Sequence, residues 1–237
     1  SSFSYAMVRG DNTVKKTIPF DTMVMAEEMK YEGVTVLNYR IEYPEFIADR
    51  YKKSIKAINQ FYRSEALALE NNFRTKLYQM AVDQYLYDVE NGFPVRVFEA
   101  LQTFESTYNE ACIISLYFDN YQYTGGAHGL TMRTSQTWNL RTGQMIKLKE
   151  LYKCAGDYRR YIKDKIIEMI RANPELYFEN YEELVEQTFN INSFYCTPQG
   201  VVIYFQQYDI APYSSGIREF LLPYNKCIKD PVGKCTK

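Results

Sequence analysis

The residues able to do chemistry in this 237-residue chain are few, and one short loop holds the most distinctive of them. The only histidine, His128, lies in Gly125-Gly126-Ala127-His128-Gly129. Three glycines there permit positive φ or close approach of another group to the backbone. An imidazole titrates near neutrality, so His128 could act as a base, sense pH or touch a ligand. In a purely structural loop it would instead bond a backbone carbonyl and lock the turn. A catalytic triad would have to recruit this one histidine together with a carboxylate. The sequence contains no G-x-S-x-G elbow, phosphate-binding loop or zincin motif. Its cysteines lack zinc-finger spacing. Neighbouring acids such as Glu182 and Glu183 read as helix-start charges favoured by the dipole. No catalytic residue, metal site or cofactor is assigned, and the loop's residues alone do not decide between a structural lock and a ligand contact.

Aromatic residues are the other unusual resource: 23 Tyr, 14 Phe and one Trp, Trp138. Most tyrosines belong at a core margin, where the ring is buried and the hydroxyl finds a partner. A tyrosine face left exposed would suit a protein partner or a glycan. The net charge of -1 supplies no basic field for nucleic acid or acidic lipid. No run of about 18 apolar residues marks a membrane span. The opening residues carry no signal-peptide pattern, and 1–5 read as the start of a trimmed chain.

Five cysteines are too few for a disulfide scaffold. Cys112 and Cys196 end or begin apolar runs and read as buried thiols. Cys227 and Cys235 flank a turn-forming tail with Asp230-Pro231 and Gly233, so a bridge between them is expected, with Cys154 as the competing partner. Thiols in an exposed tail suit an oxidising compartment.

The elements that position these residues alternate between strand and helix. Residues 13–43 read as strands, with a turn at Glu32-Gly33 and an end at Pro44. From 45 to 91 there is neither Gly nor Pro before Gly92. Apolar residues recur there at Tyr51, Ile55, Ile58, Tyr62, Leu69, Phe73, Leu77 and Met80, which predicts one extended helix or two with a bend. Strands follow at 95–107, 112–123 and 130–140, with a turn at 108–110 and a tight connection at Arg141-Thr142-Gly143. A second amphipathic helix is predicted over 156–172, stopped at Asn173-Pro174. A short third helix begins with Asn180 and Glu183 in a capping-box pattern. A hairpin at 189–196 and 201–208 and a last strand at 217–224 complete the chain. Residues 141–171 hold nine Lys or Arg and four Asp or Glu, whereas 172–190 hold five Glu and no base. That split predicts two helices with complementary charge.

Three stretches occur in order: YTGGAHG, TWNLRTGQMIKLKELY and SFYCTPQGVVIYFQQYDIAPYSSGIREFLLPY. Together they resemble the paired bacterial domains of RsiV-like anti-sigma factors and of the non-catalytic N-terminal part of PdaC-type peptidoglycan deacetylases. The most specific portion is Tyr-x-Ile-Ala-Pro-Tyr at 208–213, followed by Gly216. The resemblance implies a PdaC-like domain at 1–135, its likeness starting near residue 14, and an RsiV-like domain with a loop tail at 136–237. The two could share one core. It also implies a place outside the cytoplasmic membrane, tethered in the full-length protein. In the RsiV branch this region binds lysozyme. In the deacetylase branch it accompanies a separate catalytic domain, which this chain lacks.

The expected fold is α+β, with antiparallel sheets packed against one long helix in the N-terminal half and a second amphipathic helix in the C-terminal half. The expected function is non-enzymatic binding or sensing at the bacterial cell envelope, with lysozyme or peptidoglycan fragments as partners and neither nucleic acid nor a membrane span involved. The contact residues are His128, Trp138, Tyr208, Tyr213 and Ser214. The alternatives are a peptidoglycan hydrolase using His128 and a purely structural envelope protein.

Overall fold

A computed structural model describes residues 17–236. The trimmed-looking opening at 1–5 and the first part of the expected strand region, 13–16, lie outside the described residues. Strands β1 (Phe20–Tyr31) and β2 (Val34–Phe46) form a hairpin around Glu32-Gly33. Both turn residues have positive φ, 47° and 80°, the backbone that lets a two-residue loop follow the strand twist. Pro44 does not end the strand. It pairs with Thr22 inside β2, beyond Ile41, the last β2 residue bonded to the next strand. Among the described residues no second strand pairs with β2 there, which is where a strand tolerates proline.

The long apolar stripe folds as α1 (Lys52–Asn72), a five-residue π segment (Phe73–Leu77) and α2 (Tyr78–Glu90) without interruption. Ile55, Ile58, Tyr62, Phe73 and Leu77 bury one side of it. Gly92, at φ 68°, terminates the run. The chain then returns as β3 (Phe98–Glu110), which lies parallel to β2 from Leu37 to Ile41. The expected all-antiparallel sheet thus contains one parallel pair. A parallel pair needs a long crossover, and the helix supplies it. Strands β4 (Ile113–Tyr123), β5 (Leu130–Asn139) and β6 (Gln144–Met145) complete a six-stranded sheet in sequential order. The β3–β4 turn falls at Ala111-Cys112 rather than 108–110, with Ala111 at φ 52°.

Strand β4 is covered on both faces. Its Phe118 ring meets Tyr62 of α1 at 5.2 Å. Its Ser115 and Tyr117 turn the other way, towards a three-stranded sheet of β7 (Phe194–Thr197), β8 (Gly200–Phe205) and β9 (Arg218–Pro223). There Ser115 Oγ accepts from Cys196 N at 2.9 Å, and the Tyr117 and Tyr195 rings lie 4.9 Å apart. Arg133 of β5 seals the junction. It grips Asp119 with two bonds of 2.8 and 2.9 Å, reaches Glu219 at 2.5 Å and lies 3.9 Å above the Tyr117 ring. One contiguous buried cluster includes residues of both sheets. Strand β5 runs across residues 135 and 136, the expected domain boundary.

Helices α3 (Tyr158–Ala172) and α4 (Tyr181–Thr188) lie side by side. Asp157 caps α3 by accepting from Arg159 N at 2.9 Å. Asn180 stands at the start of α4 without a side-chain cap bond. The uneven charge is matched across the pair: Lys163 bonds Glu186 at 2.8 Å, Arg171 bonds Glu182 at 2.9 Å, and Arg160 also meets Glu186.

The expected Cys227–Cys235 bridge does not form. Cys235 bonds Cys112, and Cys227 bonds Cys154, with Cα separations of 5.6 and 4.9 Å. The reason is the path of the tail. Lys153 N donates to Cys227 O and Lys229 N to Leu151 O, so the tail pairs antiparallel beside Tyr152 and brings Cys227 to Cys154. A 3₁₀ turn at Pro231–Cys235, capped by Asp230, then carries Cys235 to the β3–β4 turn. Cys112 is buried as expected but is bridged; Cys196 keeps a free, buried thiol, which burial pushes up to about 12.

Candidate functional site

The glycine-rich loop, 124–129, joins β4 to β5 and is held from three directions. Gly125 takes φ 87°, and its carbonyl accepts from Arg96 Nη1 at 3.0 Å. Arg96 is itself fixed by Asp88 of α2, whose side chain is fully buried; the two charged groups meet at 2.5 Å. Gln84 adds a 2.9 Å bond to the same carboxylate. The Arg96 guanidinium holds the Asp88 carboxyl below the usual carboxylate range. At the other end, a Cβ on Gly129 would come within 2.3 Å of the Tyr121 ring. Glycine is required there by close approach, since its own φ is not positive. The Gly129 carbonyl accepts from the Tyr213 hydroxyl at 2.8 Å.

This scaffold leaves His128 exposed. Its ring stacks on Tyr213, with centroids 3.7 Å apart and planes inclined by 16°. Its Nε2 lies 3.4 Å from the Tyr208 hydroxyl. The Tyr208 and Tyr213 rings are 5.7 Å apart. Three aromatic rings separated by some eighty residues of chain therefore meet at one exposed corner. Ser214 is also exposed, on the 3₁₀ turn Tyr213–Ser215. The imidazole engages a phenol and an aromatic face rather than the backbone carbonyl expected of a purely structural loop.

Tyr208 is held by an unusual turn. Its φ is 69°, a left-handed backbone that bulky residues avoid. Gln206 and Gln207, just before it, dock on the edge of β5 through their side chains. Gln206 accepts from Arg133 N at 2.8 Å and donates to Arg133 O at 2.7 Å. Gln207 accepts from Thr131 N at 2.7 Å. The two amides take the place of a neighbouring strand and blunt that edge. Asp209 closes the turn by accepting from Gln206 N at 3.0 Å, and burial raises its carboxyl pKa.

Trp138 does not join the corner. It is buried, and its indole N–H donates to the Tyr62 hydroxyl at 2.7 Å, which in turn donates to Gln136 at 2.9 Å. Phe61 packs edge-on at 5.3 Å. Position 138 faces α1 because β5 alternates and its even residues there point to the helix. Most of the other named tyrosines follow the core-margin pattern. Tyr39, Tyr108 and Tyr195 are buried rings whose hydroxyls bond Glu70, Asp230 and Glu219 at 2.9, 2.7 and 2.9 Å. Sequence reasoning missed Asp88, Arg96, Tyr121, Gln206 and Gln207. The only available signal was the glycine cluster, which requires close neighbours without naming them.

What the architecture defines is an α+β unit whose two sheets share a core and whose aromatic corner is assembled from both. Residues 32–131 match the family described as Deacetylase PdaC, and residues 149–225 match a family described as a protein of unknown function, DUF3298. The two matches follow one another along the chain, and neither spans half of it. It is similar in fold to a DUF3298-family protein from Bacteroides fragilis NCTC 9343, with a TM-score of 0.71 at 19% identity over 93% of this chain and 99% of the other. A DUF3298-family protein from Pseudomonas aeruginosa PAO1 gives a TM-score of 0.60 at 15% identity, over 89% and 95% of the two chains. No curated protein matches the chain.

Proposed function

We propose that this chain is a non-enzymatic binding or sensing domain that works outside the cytoplasmic membrane. Its ligand is a cell-wall component or an envelope-directed protein such as lysozyme, the partner class of the RsiV-like branch it resembles. One observation carries the reading: exposed His128 and Tyr208 converge with half-buried Tyr213, on a backbone that keeps Tyr208 in a costly conformation. Strain of that kind clusters at ligand-contacting positions. Aromatic rings with polar tips give large contact area at low entropic cost. Two disulfides suit an oxidising compartment, and among the described residues no helix is long and apolar enough to cross a membrane.

The test is binding of the purified chain to immobilised lysozyme and, separately, to muropeptides, each at two salt concentrations. Saturable binding that weakens at least about tenfold in His128→Ala and Tyr213→Ala supports the reading, a loss of about 1.4 kcal/mol or more. Binding unchanged by both substitutions, in proteins that still melt cooperatively, removes the corner from the account. Turnover of cell-wall fragments, abolished by His128→Ala, would replace docking with hydrolysis.

A further inference from the structure

The α3–α4 pair explains only half of the uneven charge. Acids of α4 take Arg160, Lys163 and Arg171 of α3. The lysines before α3 find no such neighbour, and the C-terminal tail brings more of them. Residues 141–154 and 225–236 together hold seven Lys or Arg and two acids, a net of +5 in a chain whose total is -1. The remainder of the chain is therefore negative, and the whole-chain count conceals a local basic field.

The two segments lie side by side. Lys153 N donates to Cys227 O at 2.9 Å and Lys229 N to Leu151 O at 2.8 Å, and the Cys154–Cys227 bridge staples them. Farther along, Lys234 meets Glu150 at 3.2 Å, and Arg141 Nη1 donates to Cys235 O at 2.7 Å. Ile146, Leu148, Leu151, Cys227 and Ile228 are buried beneath the pair, which leaves Lys147, Lys149, Lys153, Lys226 and Lys229 exposed. Both acids are already engaged. Glu150 takes Lys234 and accepts from Lys147 N at 2.6 Å, and Asp230 accepts from the Tyr108 hydroxyl and Val232 N. Lys149, Lys153, Lys226 and Lys229 form no ion pair among the described residues. Like charges gathered without neutralisation destabilise a fold. Here a disulfide and paired backbone hold them together.

We propose that this lysine band docks the protein on a membrane surface through anionic phospholipid headgroups. Charge complementarity carries the inference, and the residue types select the partner. Lysine presents a strongly hydrated point charge, which suits a diffuse layer of phosphates, whereas a discrete phosphate or carboxylate is gripped best by bidentate arginine. The band offers no ring for a sugar or base to stack on. Tyr152 is half-buried, 5.3 Å from the Tyr161 ring, and its hydroxyl donates to Ala155 O at 2.8 Å. Met145, 42% exposed and two residues before Lys147, adds an apolar contact at one end. Because the rest of the chain is negative, an anionic surface attracts this face and repels the others, so the band also sets the orientation of docking. No residue of the aromatic corner belongs to it, and the inference stands apart from the ligand reading.

Co-sedimentation of the oxidised full chain with vesicles tests it, using phosphatidylcholine alone and phosphatidylcholine mixed with phosphatidylglycerol, each at low and high salt. Binding is expected only on the mixed vesicles, and it should fall as salt rises. A lysine near such a surface contributes about fivefold in affinity, so Lys153→Gln/Lys229→Gln should weaken binding at least about tenfold with melting unchanged. Arg40→Gln/Lys76→Gln removes the same charge from β2 and the long helix and should leave binding as in wild type. Absence of binding to the mixed vesicles at low salt overturns the proposal, whether or not soluble polyglutamate, standing for an acidic protein, binds instead. So does binding to phosphatidylcholine alone, or an equal loss in the two double variants, which would make the attraction a matter of total charge.

Discussion

Gly129 shows how a residue with no side chain of its own shapes the corner. The Tyr121 ring fills the space a Cβ would need, while Tyr213 bonds the Gly129 carbonyl from the other side. Gly129→Ala should push Tyr121 outward and cost about 1–3 kcal/mol, the usual range for overpacking, read in a denaturant titration. Trp138→Ala should cost about 3–5 kcal/mol, as deletion of a buried large ring does, without acting on a ligand directly. These two positions mark what residue type reveals. His128, Tyr208 and Tyr213 were legible as chemistry-bearing because of their rarity or their motif. Trp138 was equally rare, but rarity does not reveal which face of a strand a residue occupies. The Cys235 pairing was illegible for a related reason, since nearness along the tail says nothing about nearness to Cys112.

At the level of elements, the loop is governed by a helix it does not touch in sequence. The end of α2 supplies Asp88, which aims Arg96 at Gly125. The folded-state pKa of Asp88 is depressed, so its contribution to stability is full above the ordinary carboxylate range and is lost as pH falls through the folded value. Asp88→Asn should therefore destabilise the protein at neutral pH and flatten the acid limb of its stability–pH curve. The gap between variant and wild type should close in strong acid. A gap that persists there would show the carboxylate charge to be irrelevant. Alternation and the 3.6-residue stripe made the strands and the long helix readable. The parallel β2–β3 pair was not, because periodicity carries no strand direction. Nor was the passage of β2 through Pro44, which depends on where its neighbour stops. The capping of β5 by Gln206 and Gln207 also had no local signal, since glutamine reads as ordinary polar surface.

For the whole molecule, the tail and the Arg133 cluster join the two halves. The Cys112–Cys235 bridge spans 123 residues and ties the C-terminal tail to the β3–β4 turn of the large sheet. Replacing both cysteines with alanine should cost about 2–5 kcal/mol, seen as a lower melting temperature that reductant then changes less than in wild type. Arg133 links Asp119 of the large sheet with Glu219 of the small one, so both sheets should unfold in one transition. The corner depends on this unity, since His128 comes from one sheet's connection and Tyr208 and Tyr213 from the other's.

Replacement of Tyr208 by glycine, with stability and binding measured on the same sample, tests the docking corner most directly. Glycine accepts the left-handed backbone that tyrosine resists, so the substitution should leave the melting temperature unchanged or raise stability by up to about 1 kcal/mol. Binding to whichever of immobilised lysozyme or muropeptide the wild type holds should weaken at least about tenfold. A variant that keeps full binding, or one that fails to fold, would show that Tyr208 occupies its strained position for reasons other than ligand contact.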